Sequence, residues 1–156
     1  MKNIDEIMSY KTEDTEKVGA DLAIKIIKDP ELPRFVALYG DLGVGKTAFV
    51  RGFTSEISEK ALVRSPTFSL VNEYRGDKHD ISVFHFDMYR ISDEDDLYSI
   101  GFYDYPNRDG ICLTEWSENI PYALPDRYFK VTIEKNGIDC PDQRRIKTEL
   151  ITELDR

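Results

Sequence analysis

One short segment of the sequence contains the residue types needed to enclose a phosphate group. Residues 40–47 read GDLGVGKT and fit the pattern G-x-x-x-x-G-K-[ST] at every defined position. Glycines in such a loop let backbone N–H groups approach phosphate oxygens where a Cβ would block them. Lys46 adds a positive charge for the β and γ phosphates, and the hydroxyl of Thr47 is a ligand for Mg²⁺. The segment therefore predicts binding of a nucleoside triphosphate.

The residues on either side of this loop support the same interpretation. The apolar run Phe35–Tyr39 is too short for a helix and is followed at once by glycine, which is typical of a buried strand. A helix is predicted from residue 46 to about residue 59, so that its positive N-terminal end faces the phosphates. A glycine-rich turn that matched by chance would lack this context, and we therefore favour a phosphate loop.

Two carboxylates stand at the ends of other apolar runs. Asp87 ends the run 81–87, and Glu115 follows the run 111–114. The carboxyl ends of parallel strands face the nucleotide in sheets of this kind. A Mg²⁺ site needs a carboxylate near Thr47, and an attacking water needs a polar group to orient it. Both acids are candidates for this chemistry, and a solvated acid at a strand end is the alternative.

The elements that must position these residues alternate between helices and strands. Thr12 is interpreted as the N-cap of a helix that ends before Pro30, and a short acidic helix is predicted after Ser92 or Asp93, with Gly101 as its stop signal. The remaining predicted strands are 68–74 and 81–87, paired as a hairpin, then 111–114, and finally 128–133 and 145–151, paired around a turn at Asn136-Gly137. This order predicts one α/β domain over residues 1–156. We expect a three-layer P-loop NTPase-like fold, with a mixed central sheet flanked by helices.

Composition limits the classes of partner. Of 156 residues, 30 are acidic and 21 are basic, which gives a formal net charge of −9. The average surface should repel phosphate backbones and anionic lipid, so we expect no DNA partner and no membrane. The basic residues Arg144, Arg145 and Lys147 are interpreted as a solvated face. Without a long apolar run or a secretory leader, the expected location is cytoplasmic.

Other features decide between classes of P-loop protein. The sequence has no N/T-K-x-D segment of the kind that reads guanine in GTPases. Large ATPase machines need a second subdomain, for which this length leaves no room. Small-molecule kinases commonly have an arginine-rich lid, and no such segment is visible. These observations disfavour a GTPase and a large ATPase machine, and they give no support to a small-molecule kinase.

Four segments together make a more specific resemblance. The sequences GDLGVGKTAFVRGF, SPTFSLVNEY, HFDMYR and ICLTEW, at 40–53, 65–74, 85–90 and 111–116, look like those of the TsaE family. The resemblance implies a small P-loop ATPase that binds ATP and Mg²⁺. It also implies a role in forming N6-threonylcarbamoyladenosine (t6A) at position 37 of tRNA, together with the partner proteins TsaB and TsaD. TsaD would transfer the modifying group, so contact of this chain with tRNA would be indirect.

The resemblance also implies roles for individual residues. Thr47 and Glu115 would be the Mg²⁺ ligands, Lys46 would contact phosphate, and Asp87 would orient the attacking water. Thr67 resembles a switch threonine, although the residues around it alone favour a turn hydroxyl. Trp116 would border the nucleotide, and Thr12 aligns with a position near the adenine. The predicted cofactor-binding residues are Asp41, Leu42, Gly43, Val44, Gly45, Lys46, Thr47, Ala48, Thr12 and Trp116.

Two other functions remain as alternatives. The chain could be a binding module whose nucleotide state, rather than turnover, controls assembly. It could also be a small P-loop kinase, which would transfer phosphate to an acceptor instead of to water.

Overall fold

The computed structural model describes residues 4–41, 43–66 and 70–155. Two predicted site residues, Leu42 and Thr67, lie outside these ranges, as do residues 68 and 69 of the first predicted hairpin strand. The helices are α1 (Thr12–Lys28), α2 (Lys46–Ser55) and α3 (Glu94–Ser99), and the strands are β1 (Ile4–Ser9), β2 (Phe35–Tyr39), β3 (Val71–Arg75), β4 (Ser82–Asp87), β5 (Gly110–Glu115), β6 (Tyr128–Lys135) and β7 (Arg144–Ile151).

The strands in the described ranges form one mixed sheet in the order β1-β7-β6-β2-β5-β4-β3. Strand β2 lies in the middle, parallel to both β5 and β6, and β4 is parallel to β5. The outer strands β3, β7 and β1 run antiparallel to their neighbours. The carboxyl ends of β4, β5 and β2 therefore meet at one edge of the sheet, where the sequence places Asp87, Glu115 and the phosphate loop.

Both faces of the sheet are covered, as the sequence predicted. Along β2, Val36 and Leu38 point into a core formed with α1 and α2, while Phe35 and Ala37 point into a second core on the opposite face. The second core is closed by α3 and by the 3₁₀ segment Phe102–Asn107. The three-layer α/β prediction is confirmed, and the sheet that carries the edge with Asp87 and Glu115 is covered on both faces.

Helices α1 and α2 approach each other closely because Gly52 faces α1. A Cβ built on Gly52 would lie 1.9 Å from the carbonyl oxygen of Glu16, a separation that no side chain can occupy. Gly19 makes the reciprocal approach, since its Cβ would lie 2.2 Å from the carbonyl oxygen of Phe49. The two glycines thus fix where α2 lies relative to the sheet, and α2 begins with Lys46.

The structure corrects several predicted boundaries at the start of the chain. Strand β1 was not predicted, because its side chains are mostly exposed and it joins the sheet through backbone pairing with β7. Thr12 is not the N-cap of α1: Lys11 occupies that position, without a side-chain hydrogen bond to the helix. The N-terminal turn is instead held by the side chain of Asp14, which accepts the N–H of Tyr10 at 3.0 Å.

Two further boundaries differ from the sequence prediction. Helix α2 ends at Ser55, before residue 59, because Ile57 and Ser58 both turn back to bond the carbonyl of Thr54. The pair β6–β7 is confirmed, but its connection runs from 136 to 143 instead of forming a two-residue turn at Asn136-Gly137. The longer connection brings residues near 142 beside the phosphate loop.

The predicted hairpin and the predicted cap of the acidic helix agree with the structure. Strands β3 and β4 form the expected antiparallel hairpin, and Asp93 caps α3 by accepting the N–H of Asp96. Cys112 is a buried free thiol in β5, and its burial raises the pKa of the thiol to about 12. Within the described part of the chain, every helix is too short or too polar to cross a bilayer.

The contact between α1 and α2 predicts a stability defect. Gly52→Ala should lower the free energy of unfolding by about 1–3 kcal/mol, because the added methyl group forces α2 away from α1. Arg51→Ala is a matched control on the same helix, since that side chain is exposed and makes only a surface ion pair with Glu16. Urea denaturation of both variants checks this, and equal midpoints would contradict the close-approach argument.

Candidate active site

The phosphate loop has the backbone geometry that the sequence motif predicts. Gly40, Gly43 and Gly45 all have positive φ, at 144°, 79° and 105°. A Cβ on Gly40 would also lie 2.6 Å from the carbonyl oxygen of Ile133. Position 40 therefore requires glycine both for its positive φ and for this close contact. Gly45 is the N-cap of α2, which directs the positive end of the helix toward the loop. The loop can therefore bind an anion through its backbone.

The side chain of Lys46 lies inside the loop, with 5% of its surface exposed. Its Nζ donates a hydrogen bond of 2.6 Å to the carbonyl oxygen of Gly40 and lies 4.0 Å from the centre of the Trp116 ring. Burial lowers the pKa of the Lys46 ammonium, and the nearby carboxylates of Glu115, Glu118, Asp87 and Asp41 oppose that shift. Lys46 is thus a buried cation in an acidic surrounding, at the position expected for a phosphate-binding lysine.

Glu115 and Asp87 lie side by side, as the strand ends predicted. They are register partners at the ends of the parallel strands β5 and β4. Glu115 is 5% exposed, and its Oε2 lies 2.5 Å from Nε2 of the fully buried His85. Asp87 is half-buried, and its Oδ1 accepts the N–H of Tyr89 at 3.0 Å. The structure therefore brings both carboxylates to the edge that contains Lys46.

The pKa of Asp87 is raised. Burial is the largest cause, and the negative charge of Glu115 adds to it, while the Tyr89 N–H and the positive charge of Lys46 act in the opposite direction. A carboxylate with a raised pKa is a better proton acceptor than a solvated one. The environment of Asp87 thus suits a group that interacts with water.

Trp116 connects the acidic strand end to the lysine. It adopts the left-handed conformation with φ 57°, which is unfavourable for a bulky residue. This turn ends β5 at Glu115 and lays the indole over Lys46, where it also contacts the ring of Tyr89 at 5.1 Å between centroids. Strained backbone at a bulky residue is characteristic of functional sites. Trp116 therefore lies beside Lys46 in the candidate site, and its contact with nucleotide stays a prediction.

The oxygen atoms at this edge suit a hard divalent cation. Thr47 is the second residue of α2, and its Oγ1 lies 3.2 Å from Oγ of Ser65. The hydroxyl of Thr47 and the carboxylate of Glu115 are the donor types that Mg²⁺ prefers, and Asp87 adds a further carboxylate. The residues present therefore fit the magnesium site predicted for Thr47 and Glu115.

A cavity of about 400 Å³ lies on the other side of the phosphate loop. Its walls combine the start of α1 with the loop and with the end of the β6–β7 connection. Thr12, the first residue of α1, lies in this cavity beside the loop residues. The predicted residues that line it are Thr12, Gly43, Val44, Gly45 and Ala48, and Tyr10, Asp142 and Arg144 are additional.

Arg144 is a site residue that the sequence analysis left aside. Its Nε donates to the carbonyl oxygen of Val44 at 2.9 Å, and its Nη2 lies 3.5 Å from that of Gly43. Its Nη1 bonds backbone carbonyls of the preceding connection, at Pro141 and Gln143. Arg144 therefore attaches the phosphate loop to the start of β7.

The other two members of the predicted basic cluster do not join the site. Arg145 pairs with Glu6 at 3.1 Å across the β1–β7 ladder, and Lys147 lies 3.6 Å from Glu149 on its own strand. Neighbouring side chains on a strand point to opposite faces, so Arg144 and Arg145 lie on opposite faces of the sheet. The solvated-face interpretation is correct for Arg145 and Lys147 and wrong for Arg144.

His85 was also missed as a site residue. It lies in β4 and is fully buried. Its partner Glu115 is 30 residues away, so only the pairing of β4 with β5 brings them together. The signal available in sequence was a polar residue within an otherwise apolar strand.

The fold and the phosphate loop together define a P-loop type of α/β protein. A crystal structure of YdiB from Bacillus subtilis has the same fold, with a TM-score of 0.74 and 26% sequence identity, covering 99% of this chain and 90% of that one. The family model described as threonylcarbamoyl adenosine biosynthesis protein TsaE matches residues 9–146. The chain belongs to the TsaE family, whose role is in the biosynthesis of threonylcarbamoyladenosine in tRNA.

Individual relatives support this assignment. The chain is 39% identical over 118 residues to the tRNA threonylcarbamoyladenosine biosynthesis protein TsaE of Haemophilus influenzae, covering 76% of this chain and 72% of the relative. It is 38% identical over 120 residues to the protein of the same description from Aquifex aeolicus, covering 76% and 80%. The resemblance identified from four sequence segments is confirmed.

The contacts of Arg144 predict a local loss of order. Arg144→Met should raise the hydrogen-exchange rate of the loop amides at 43–47 about tenfold, because charge-assisted bonds to two loop carbonyls are lost. Arg145→Met is the matched control, since Arg145 contacts Glu6 and Asn136 but not the loop. Exchange measured by mass spectrometry checks this, and the same small change in both variants would contradict the assigned role.

Proposed function

We propose that this protein is a Mg²⁺-dependent ATPase that acts with TsaB and TsaD in t6A formation at position 37 of tRNA. The observation that supports this most is the convergence of a buried lysine, a loop with three positive-φ glycines and two strand-end carboxylates at one sheet edge. Each of these groups has a separate task in phosphoryl transfer. Membership of the TsaE family supports the biological context.

In this proposal the phosphate loop binds and orients the triphosphate. Backbone N–H groups of 43–47 and the N-terminal end of α2 bind the β-phosphate, with Leu42 and Asp41 as part of the same loop. Lys46 exchanges its bond to the Gly40 carbonyl for the β and γ phosphates. The cavity beside Thr12 and Tyr10 holds the base end of the nucleotide.

Thr47 and Glu115 would hold Mg²⁺. When bound, the ion neutralises the charge of the phosphates. The oxygen donors come from α2 and β5, two elements whose positions are fixed by buried contacts. Asp87 orients the attacking water from the end of the adjacent strand, and the Tyr89 N–H holds its carboxylate in one orientation. Thr67 is proposed as the residue that senses the γ-phosphate.

The proposed partners fit the charge of the chain. A net charge of −9 disfavours extended contact with tRNA, so the tRNA would be reached through TsaB and TsaD in the cytoplasm. Hydrolysis by the isolated chain is expected to be slow and to rise in the complex, because a partner can complete or order the site. Phosphate release measured alone and with TsaB, TsaD and tRNA tests this part of the proposal.

A nucleotide-gated binding module is a second candidate. It is favoured by the contact of Thr47 with Ser65, which joins a predicted metal ligand to the segment that leads to the proposed switch. In that case the bound state of the nucleotide, and not its turnover, would control assembly with the partners.

The proposed role of Lys46 predicts a loss of ATP hydrolysis when this residue is replaced. Lys46→Ala should reduce phosphate release from Mg-ATP about a hundredfold or more, because the transition-state charge loses a preorganised cation. Lys60→Ala is the control, since Lys60 is exposed beyond the end of α2. A malachite-green assay checks this, and full activity of Lys46→Ala would remove the proposed site.

A substitution at Asp87 separates ATP turnover from ATP binding. Asp87→Asn should lower phosphate release about a hundredfold while leaving ATP affinity within about threefold of the wild type, because an amide does not accept the water proton. ATP affinity is followed by the fluorescence of Trp116, the single tryptophan, which lies against Lys46. Undiminished turnover by Asp87→Asn would exclude Asp87 from catalysis. Loss of turnover with t6A formation in cells intact would favour the binding module.

A further inference from the structure

The segment at 64–66 is attached to the candidate site at two separate points. Oγ of Ser65 lies 3.2 Å from Oγ1 of Thr47. The backbone N–H and carbonyl of Arg64 both bond the hydroxyl of Tyr74, each at 3.1 Å. Asn72 also donates to the Arg64 carbonyl at 3.0 Å. This short irregular segment immediately precedes Thr67 in the sequence.

The second attachment leads back to Glu115. Tyr74, His85 and Glu115 lie on the adjacent strands β3, β4 and β5, each at a diagonal position to the next. His85 has no exposed surface, its Nε2 lies 2.5 Å from Glu115 Oε2, and its Nδ1 lies 3.5 Å from the Tyr74 hydroxyl. The row of three side chains thus runs across the sheet from the predicted metal ligand to the 64–66 segment.

The two ring nitrogens of His85 serve different neighbours. Nε2 faces Oε2 of Glu115 and Nδ1 faces the Tyr74 hydroxyl, so in the tautomer with its proton on Nε2 the ring donates to Glu115 and can accept from Tyr74. Both ring nitrogens of this fully buried residue therefore have a polar neighbour. Because of the hydrogen bond between Glu115 and Nε2, a displacement of the Glu115 carboxylate also moves the imidazole of His85.

The hydroxyl of Tyr74 can donate either of two alternative hydrogen bonds. It has a single proton, which it can donate either to the Arg64 carbonyl at 3.1 Å or to His85 Nδ1 at 3.5 Å, but not to both. A small shift of His85 toward Tyr74 exchanges one bond for the other. When the Tyr74 hydroxyl donates to His85 instead, the Arg64 carbonyl keeps the bond from Asn72 but loses the one from Tyr74. Arg64 is then held less firmly.

We propose that His85 and Tyr74 are positioning residues that couple the Glu115 carboxylate to the 64–66 segment. Occupation of the site by Mg-nucleotide then changes the order of this segment from both sides, through Thr47 to Ser65 and through Glu115, His85 and Tyr74 to Arg64. The inference rests on the proposed function, since it needs Mg-nucleotide to bind at this edge. It gives the site a route for reporting its state that does not depend on hydrolysis.

The test uses the exposed peptide bond after Arg64 as a tryptic site. In the wild type, Mg²⁺ with a non-hydrolysable ATP analogue should change the rate of cleavage at this bond about tenfold, followed by mass spectrometry. In Tyr74→Phe the analogue should change it less than about twofold, with nucleotide affinity from Trp116 fluorescence within about threefold of the wild type. Tyr103→Phe is the matched control, because its hydroxyl bonds Glu94 on the opposite face, and it should respond like the wild type.

A pair of substitutions at His85 separates coupling from simple loss of packing. The amide nitrogen of His85→Gln can take the place of Nε2 and keep the bond to Glu115, but it offers nothing to Tyr74. His85→Gln should therefore keep more Mg²⁺-dependent nucleotide affinity than His85→Asn, and it should lose the response at Arg64. His85→Asn offers its amide near the Nδ1 position and should also lose Mg²⁺-dependent affinity, because Glu115 is no longer held.

The outcomes distinguish this inference from the function on which it rests. A wild-type response that persists unchanged in both Tyr74→Phe and His85→Gln overturns the coupling, while nucleotide binding stands. A wild type that binds Mg-nucleotide without any change at Arg64 also overturns it. Absence of any Trp116 fluorescence change on addition of Mg-ATP to the wild type would instead contradict the proposed function, and the coupling with it.

Discussion

The buried ammonium group of Lys46 is the charge around which the site is arranged. A cation with so little exposed surface is costly unless other groups compensate for its lost hydration. Here a loop carbonyl, the face of Trp116 and the carboxylates at two strand ends do so. The same cation reduces the repulsion between Asp87 and Glu115, which are register partners on adjacent strands. Removal of the lysine would therefore disturb the acids as well as the phosphate-binding loop.

The position of this charge depends on backbone packing in two directions. Strand β2 lies between β5 and β6, so the loop that follows it emerges next to Glu115. Helix α2 is held against α1 at a distance that only glycines allow, and Arg144 attaches the loop to β7 from the other side. These contacts are distant in sequence, yet they converge on one short loop. They hold the loop at the N-terminal end of α2, the part of a helix that favours an anion.

Local patterns in the sequence predicted much of this arrangement. The phosphate loop, the two strand-end acids and the layered α/β architecture are encoded in motifs or in apolar periodicity, which a single sequence contains. Strand β1 was missed because an exposed edge strand joins the sheet by backbone bonds and needs no alternating side chains. The N-cap at Lys11 was missed because its side chain makes no capping bond, so its residue type gives no signal.

The residues missed in the site have a different cause. Arg144 and Arg145 are adjacent and chemically alike, and only strand geometry and the long 136–143 connection direct one of them to the loop. His85 acquires its role from a partner on a parallel strand, and strand order cannot be derived from local patterns. Sequence reasoning thus located the phosphate loop and the strand-end acids, but not the residues that hold these groups in place.

The most direct test of the central claim is a crystal structure of the chain with Mg²⁺ and a non-hydrolysable ATP analogue. The account predicts that the β-phosphate is bound by the amides of 43–47 and by Lys46. It also predicts that the metal lies about 2.0–2.1 Å from the Thr47 hydroxyl, with Glu115 in its coordination sphere. A nucleotide bound away from the loop, or a metal held without Thr47 and Glu115, would contradict it.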